Sequence, residues 1–282
     1  MRKGWASRTA MWVAALRGLA DLDDPVIVRD PLAAELLPLG YASIVRAAER
    51  APRVTRAVLR GAARASGNLS RHMALRTRAI DDVVVSEALA GSRQLVLLGA
   101  GFDARAWRLD ALSDVTVFEV DHPSTQATKR EAIGSQRPLA REVNWAAIDF
   151  SRESIREVLA RAGHDARVRT TFVWEGVTMY LAREAIDATL ADLSELSAPS
   201  SCLVATYHDA AFRMETLPLS IIVRAAGEPF KTRMTPVEVR SRLGAHDFVV
   251  ERDEGSDDWC RRYLHERGYR NAERIVTARK RS

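Results

Sequence analysis

The segment Leu98-Gly99-Ala100-Gly101-Phe102-Asp103-Ala104 is the part of the chain best suited to chemistry. It closes the apolar run 95–98 and leads into a helix-like stretch. Glycine has no Cβ, so a Gly-x-Gly turn after a buried strand lets backbone approach a ligand closely. A helix starting there points its N-terminal N–H groups at the same ligand. Asp121 follows Gly101 by twenty residues, at the end of the next strand-like run. A carboxylate at that point can accept hydrogen bonds from ribose hydroxyls. The pattern reads as a site for a nucleoside cofactor, and it fits a nicotinamide dinucleotide as well as S-adenosylmethionine. A bare Gly-x-Gly also occurs in ordinary strand-to-helix turns. The strand, helix and acid, each in its required place, argue against that reading here.

The elements that must position these residues follow from hydrophobic periodicity. Residues 95–98 form a short continuous apolar run, as expected of a strand buried on both faces of a parallel sheet. Runs 115–120, 142–148, 171–174 and 202–207 are four more strands, and 248–252 and 273–278 look like a final hairpin pair. Helical stretches at 104–112, 124–133, 152–162 and 183–196 separate the first five. Strands alternating with helices predict an α/β, doubly wound, Rossmann-like sheet. The first ninety residues read as helices. Asp30-Pro31 marks one start, and 71–90 carries Met73, Ile80, Val84 and Leu89 at helical spacing. Residues 208–234, with Pro218, Gly227 and Pro229, break the rhythm before Thr235-Pro236 starts another helix. Residues 1–90 are thus expected to form a helical cap. Residues 91–282 form the core, with 208–234 as an insertion over the substrate. Seven strands with an insertion after the fifth is the plan of class I methyltransferases. The long helical lead-in and the terminal hairpin favour S-adenosylmethionine over a dinucleotide.

Composition narrows the class. The 282 residues are 47% hydrophobic and 28% charged, which suits one globular α/β unit rather than a disordered chain. No stretch offers the ~18 apolar residues of a membrane span. The N-terminal run 10–16 is bracketed by Arg8 and Arg17 and reads as an amphipathic helix with Met11, Ala15 and Leu19 on one side, not a signal peptide. A cytoplasmic location is expected. The net charge of +5 comes from arginines scattered along the chain, with lysine only at Lys3, Lys129, Lys231 and Lys280. That spread argues against a nucleic-acid interface. Cys202 and Cys260 have no metal-ligand spacing, and no metal is expected. His122 and His164 read as surface residues.

Four segments together carry a family resemblance: Arg-Thr-Arg-Ala-Ile-Asp-Asp (76–82), Leu-Val-Leu-Leu-Gly-Ala-Gly-Phe-Asp-Ala-Arg-Ala-Trp-Arg-Leu (95–109), Val-Phe-Glu-Val-Asp-His-Pro (117–123) and Phe-Val-Trp-Glu-Gly-Val-Thr-Met-Tyr-Leu (172–181). The set resembles the leucine carboxyl methyltransferase family, in particular its bacterial branch of S-adenosylmethionine-dependent O-methyltransferases linked to natural products. Ser7-Arg8-Thr9-Ala10 and Asp30-Pro31-Leu32-Ala33 resemble that branch too. Leu97 stands where other methyltransferases carry an acid, a departure common in this family.

The resemblance implies a set of roles. Arg78 would pair with the methionine carboxylate of the cofactor, with Arg76 a second candidate; a guanidinium holds a carboxylate bidentately. Gly99 and Gly101 would line the methionine portion, and Asp121 the ribose. Asp149-Phe150 stands where the family has Asp-Leu and would recognise adenine. Glu175-Gly176 would lie beside the sulfonium, with Tyr180 facing the acceptor. Without the family, a solvated charge is the alternative reading of Arg78 and a helix cap that of Asp149. The resemblance points to an oxygen acceptor, most simply a carboxylate, which needs no base near neutral pH. For a hydroxyl acceptor, Tyr207-His208 at the end of the fifth strand is the best base candidate. Arg213, Arg224, Lys231 and Arg233 in the insertion are candidates for orienting an acidic substrate. Trp5, Met11 and Trp12 could form an apolar lid, although such spacing is more often core. The expected partner is a small molecule or short peptide. An NAD-dependent oxidoreductase and an RNA-modifying methyltransferase are the alternatives, and oligomeric state is open.

Overall fold

The computed structural model describes residues 8–20, 26–37, 50, 69–149, 153–212, 230–268 and 271–281. Among them the elements are α1 (Arg8–Ala20), α2 (Leu32–Glu35), α3 (Leu69–Leu89), β1 (Gln94–Leu98), α4 (Arg105–Arg108), β2 (Thr116–Asp121), α5 (Pro123–Ile133), β3 (Glu142–Ala147), α6 (Ile155–Arg161), β4 (Thr170–Trp174), α7 (Arg183–Glu195), β5 (Cys202–His208), α8 (Pro236–Ala245), β6 (Phe248–Gly255), α9 (Ser256–Leu264) and β7 (Glu273–Lys280). Single 3-10 turns occupy Asp110–Leu112 and Thr178–Tyr180.

The strands form one sheet in the order β3-β2-β1-β4-β5-β7-β6. Strands β1 to β5 run parallel, and β7 enters antiparallel between β5 and β6. This is a seven-stranded, mostly parallel, Rossmann-like sheet. From β1 the chain winds outward to β2 and β3, then returns across β1 to β4 and β5. That reversal opens a crevice beyond the C-terminal ends of β1 and β4, where ligands bind in open α/β sheets.

The β1 residues alternate between two buried layers, as the two-residue strand period requires. Leu95 and Leu97 join α1, α2, α3 and Trp259 of α9 in one layer. Val96 and Leu98 join Leu159, Leu190, Leu193 and Leu243 from α6, α7 and α8 in the other. Met11 sits in the first layer and is ordinary core. Trp5 and the side chains of Trp12 and Leu19 lie outside the description. In α3, Met73, Ile80 and Val84 are buried, whereas Leu89 is 78% exposed at the helix end. No helix among the described residues is long and apolar enough to cross a membrane.

Three expectations are corrected. The predicted helix over 104–112 breaks into one turn of α4 and a 3-10 turn, because Leu109 between them is extended (φ −105°, ψ 105°). The predicted helix over 152–162 begins only at Ile155. There Ser154 accepts from the Glu157 amide and Glu157 reaches back, a capping box that fixes the start. The terminal pair β6–β7 is antiparallel as expected, but α9 sits in its connection.

Candidate active site

The turn after β1 is held open by backbone. Gly99 and Gly101 have φ of +67° and +52°, the left-handed region that suits glycine. A Cβ on Gly99 would also lie 2.6 Å from Val177 Cγ2. The amides of Gly99 and Ala100 donate to Val120 O at 2.8 and 3.1 Å, which ties the turn to the end of β2. Asp121 follows, accepting from the Gly101 amide at 2.5 Å and the His122 amide at 2.6 Å. Burial raises the Asp121 carboxyl above its ordinary pKa, and these two amides oppose that rise. Carboxylate oxygens accept more than one hydrogen bond each, so capacity for ribose hydroxyls remains.

At the end of β4 stands Glu175. Arg76, reaching in from α3, places Nε at 2.9 Å and Nη2 at 2.8 Å from Glu175 Oε1. Arg105 of α4 places Nη1 at 2.9 Å from Oε2. Burial by itself would raise the Glu175 carboxyl, but Arg105 and Arg76 outweigh it and hold it below its usual range. The network spreads from there. Arg76 Nη1 donates to Glu273 of β7 at 2.9 and 3.1 Å, and His72 Nε2 lies 2.8 Å from the same carboxylate. Arg105 also bonds Asp103 and Asp81, Arg108 bonds Asp81, and Arg17 meets Asp30 at 3.3 Å. Arg17 further donates to Phe102 O in the glycine turn at 2.6 Å.

This cluster also tests the fit of the expected cofactor. Among the described residues four guanidiniums (Arg17, Arg76, Arg105, Arg108) face five carboxylates (Asp30, Asp81, Asp103, Glu175, Glu273). Paired guanidiniums and carboxylates, beside a glycine turn and Asp121, suit a ligand with an amino-acid end. S-adenosylmethionine is such a ligand.

The expected site residues separate on inspection. Arg78 is corrected: it projects from the outer face of α3, bonds Asp82 at 2.8 Å and stacks over Tyr263. Its neighbour Arg76, two positions earlier and thus on the opposite side of the helix, takes the inward place. Gly99, Gly101, Asp121 and Glu175 converge around the β1–β4 crevice. Asp149 follows β3, its amide donating to Glu153 at 3.1 Å; Phe150 lies outside the described residues. Tyr180 packs its ring on Phe230 at 5.4 Å, and Phe230 meets His208 edge-on at 4.7 Å.

Tyr207 is corrected too. On β5 its side chain faces the α7–α8 layer, opposite His208, and its hydroxyl donates to Asp253 at 2.8 Å. Burial and Asp253 raise that phenol, and it faces away from the layer of His208. His208 is buried, and burial pushes its imidazole down to about 4. His164, expected at the surface, is buried between Phe118 and Phe172 and bonds Thr170. His122 caps α5. In the insertion, Arg213 and Arg224 lie outside the described residues, Lys231 is exposed, and Arg233 is partly buried.

Asp81, Asp103, Arg105, His72 and Glu273 were not anticipated. Arg105 left one signal, its place directly after the glycine segment at the start of the following helical turn.

The leucine carboxyl methyltransferase family model matches residues 10–194. A Mycobacterium avium (strain 104) protein assigned as an S-adenosyl-L-methionine-dependent methyltransferase is 36% identical over 71% of this chain and 66% of its own length. A Streptomyces coelicolor protein with the same assignment is 34% identical over 70% and 66%. The chain thus spans just under two thirds of these relatives. A methyltransferase structure from Thermobifida fusca YX shares the fold, with a TM-score of 0.58 at 19% identity over 82% of this chain and 90% of that one. With the family model covering more than half of its residues, the chain belongs to the leucine carboxyl methyltransferase family.

Proposed function

We propose that this chain is an S-adenosylmethionine-dependent O-methyltransferase acting on a carboxylate of a small natural-product or peptide-like acceptor. The observation that carries the reading is the convergence of the Gly99–Gly101 turn, Asp121 and Glu175 at the C-terminal ends of three adjacent strands, β1, β2 and β4. In this reading Asp121 accepts from the ribose hydroxyls, and Asp149 with Phe150 recognises the adenine edge. The glycine turn lies along the methionine portion. Arg76 and Glu175 form a fixed pair of opposite charges for the carboxylate and ammonium of the amino-acid end.

Bound there, the cofactor supplies a methyl group on a cationic sulfur, which a carboxylate takes without giving up a proton. The protein's part is positioning and electrostatics. Glu175 is immobilised by two guanidiniums, so its charge needs no reorganisation during the transfer. Thr206 accepts from the Gly176 amide at 2.8 Å and Thr178 donates to Thr206 O at 2.6 Å, fixing the Glu175 turn against β5.

The test is calorimetric titration with S-adenosylhomocysteine, comparing wild type with Asp121→Ala. Binding that the substitution weakens at least about tenfold is expected, since a hydrogen bond to a charged group is lost. A folded wild type that ignores S-adenosylhomocysteine but binds NAD would overturn the reading.

A further inference from the structure

On β5, His208 is 6% exposed and its Nδ1 has no hydrogen-bond partner among the described residues. Buried polar atoms without partners are uncommon and call for an explanation. A second one lies beside it. The returning segment after the insertion forms a parallel bridge, Asp209 with Met234, and Met234 N donates to His208 O at 3.0 Å. Bridged residues share a face and their predecessors share the other. Met234 is in the α7–α8 layer with Tyr207. His208 and Arg233 therefore lie side by side on the opposite face, that of Arg76 and Glu273. Arg233 Nη2 is held by the carbonyls of Ala210 and Phe212, whereas its buried Nε has no partner among the described residues. The other charged or titratable neighbours of His208 are Glu273, His72 and Arg76, which are already bonded to one another.

The surroundings indicate what this pair would hold. Arg233 Nε is a donor with a permanent charge. A neutral imidazole donates from Nδ1 in one of its tautomers. A donor nitrogen on each of two adjacent residues, with one positive charge, matches the two oxygens of a carboxylate; a hydroxyl offers one oxygen and no charge. Phe230 and Tyr180 stack beside His208 and form an aromatic wall. Lys231 N donates to Met179 O at 2.7 Å and Thr232 Oγ1 to Leu181 O at 2.5 Å, which pins this segment to the turn after Glu175.

We infer that Arg233 and His208 form the acceptor subsite, holding the carboxylate of a flat or aromatic acid whose ring lies along Phe230 and Tyr180. The inference rests on the methyltransferase reading for the word acceptor, but the anion site itself can be tested without it. Benzoate, its neutral isostere benzamide, and phenol are titrated into the full chain, with and without S-adenosylhomocysteine. Benzoate is expected to bind at least about tenfold tighter than benzamide or phenol, the size of a charge-assisted hydrogen bond to a buried donor. Arg233→Gln is expected to erase that difference and leave S-adenosylhomocysteine binding unchanged. Should Arg233→Gln not fold, Arg233→Met, which removes both the charge and the Nε–H, and His208→Leu carry the test. Benzoate no tighter than benzamide, or a preference that survives these variants, overturns the inference, and phenol as tight as benzoate replaces the carboxylate with a hydroxyl. Failure of S-adenosylhomocysteine to bind while benzoate still discriminates would remove the cofactor reading and spare the anion site.

Discussion

Replacing Arg105 with methionine tests whether the buried charge cluster organises the site. Arg105 is fully buried and holds three carboxylates: Asp81 at 2.7 Å, Glu175 at 2.9 Å and Asp103. Removing one partner of a buried ion pair costs about 3–5 kcal/mol, because it strands the other charge. Here Asp81 keeps Arg108 at 2.6 Å and Glu175 keeps Arg76, so only Asp103 loses its guanidinium. The low end, about 3 kcal/mol, is therefore expected, and the methionine fills much of the vacated volume. For a chain of this size that lowers Tm by roughly 6–10 °C. The pH dependence follows from Asp103. In the wild type, burial would raise this carboxyl, but Arg105 and more distant cations hold it down at about 2, so its stabilisation is present above the unfolded value and lost only as pH falls toward 2. Without Arg105, burial dominates and the folded value rises. The deficit of Arg105→Met should then be largest near neutral pH and narrow as pH drops toward 4. Thermal melts across that range read both quantities. Arg167→Met, which breaks an exposed pair with Asp165, serves as control and should leave Tm unchanged. A loss under about 2 °C for Arg105→Met, or a gap that widens in acid, would refute the account.

Two further outcomes follow from the packing. Gly99→Ala puts a Cβ into Val177 and a side chain at φ +67°; left-handed backbone alone costs about 1–2 kcal/mol. Cofactor affinity should fall at least about tenfold, and Val177→Ala in the same chain should restore it only in part; full restoration would show that sterics, not backbone, mattered. Glu119 and Lys129 form a buried pair at 2.6 Å beneath Trp107 and Trp145. Burial pushes Glu119 up to about 7. A raised carboxyl stabilises most below its unfolded pKa and less as pH climbs through the folded one. Stability should decline between about pH 4.5 and 7, and the double variant Glu119→Gln with Lys129→Met should lack that decline in urea unfolding; an unchanged slope sinks the assignment.

The strands were legible in the sequence because apolar runs between turn residues leave a local signature, and all seven appear within a few residues of their expected bounds. The glycine turn, Asp121 and Glu175 were legible for the same reason: each closes such a run. Helices 104–112 and α9 were not. In the first, the arginines at 105 and 108 serve Asp81 across space, and no periodicity within nine residues reports that. In the second, Trp259 and Tyr263 stand four apart in a polar segment, a helical stripe too faint to mark the element. The choice of Arg78 over Arg76 shows the limit most clearly. The two arginines are two positions apart on a helix and so face opposite sides. Which side is inward depends on where α3 crosses the sheet, and that is fixed by long-range packing. The deciding partner, Glu273, lies almost two hundred residues downstream on the last strand. A buried charge cluster assembled from both ends of a chain is therefore invisible to local reading, although it sets the electrostatics of the site.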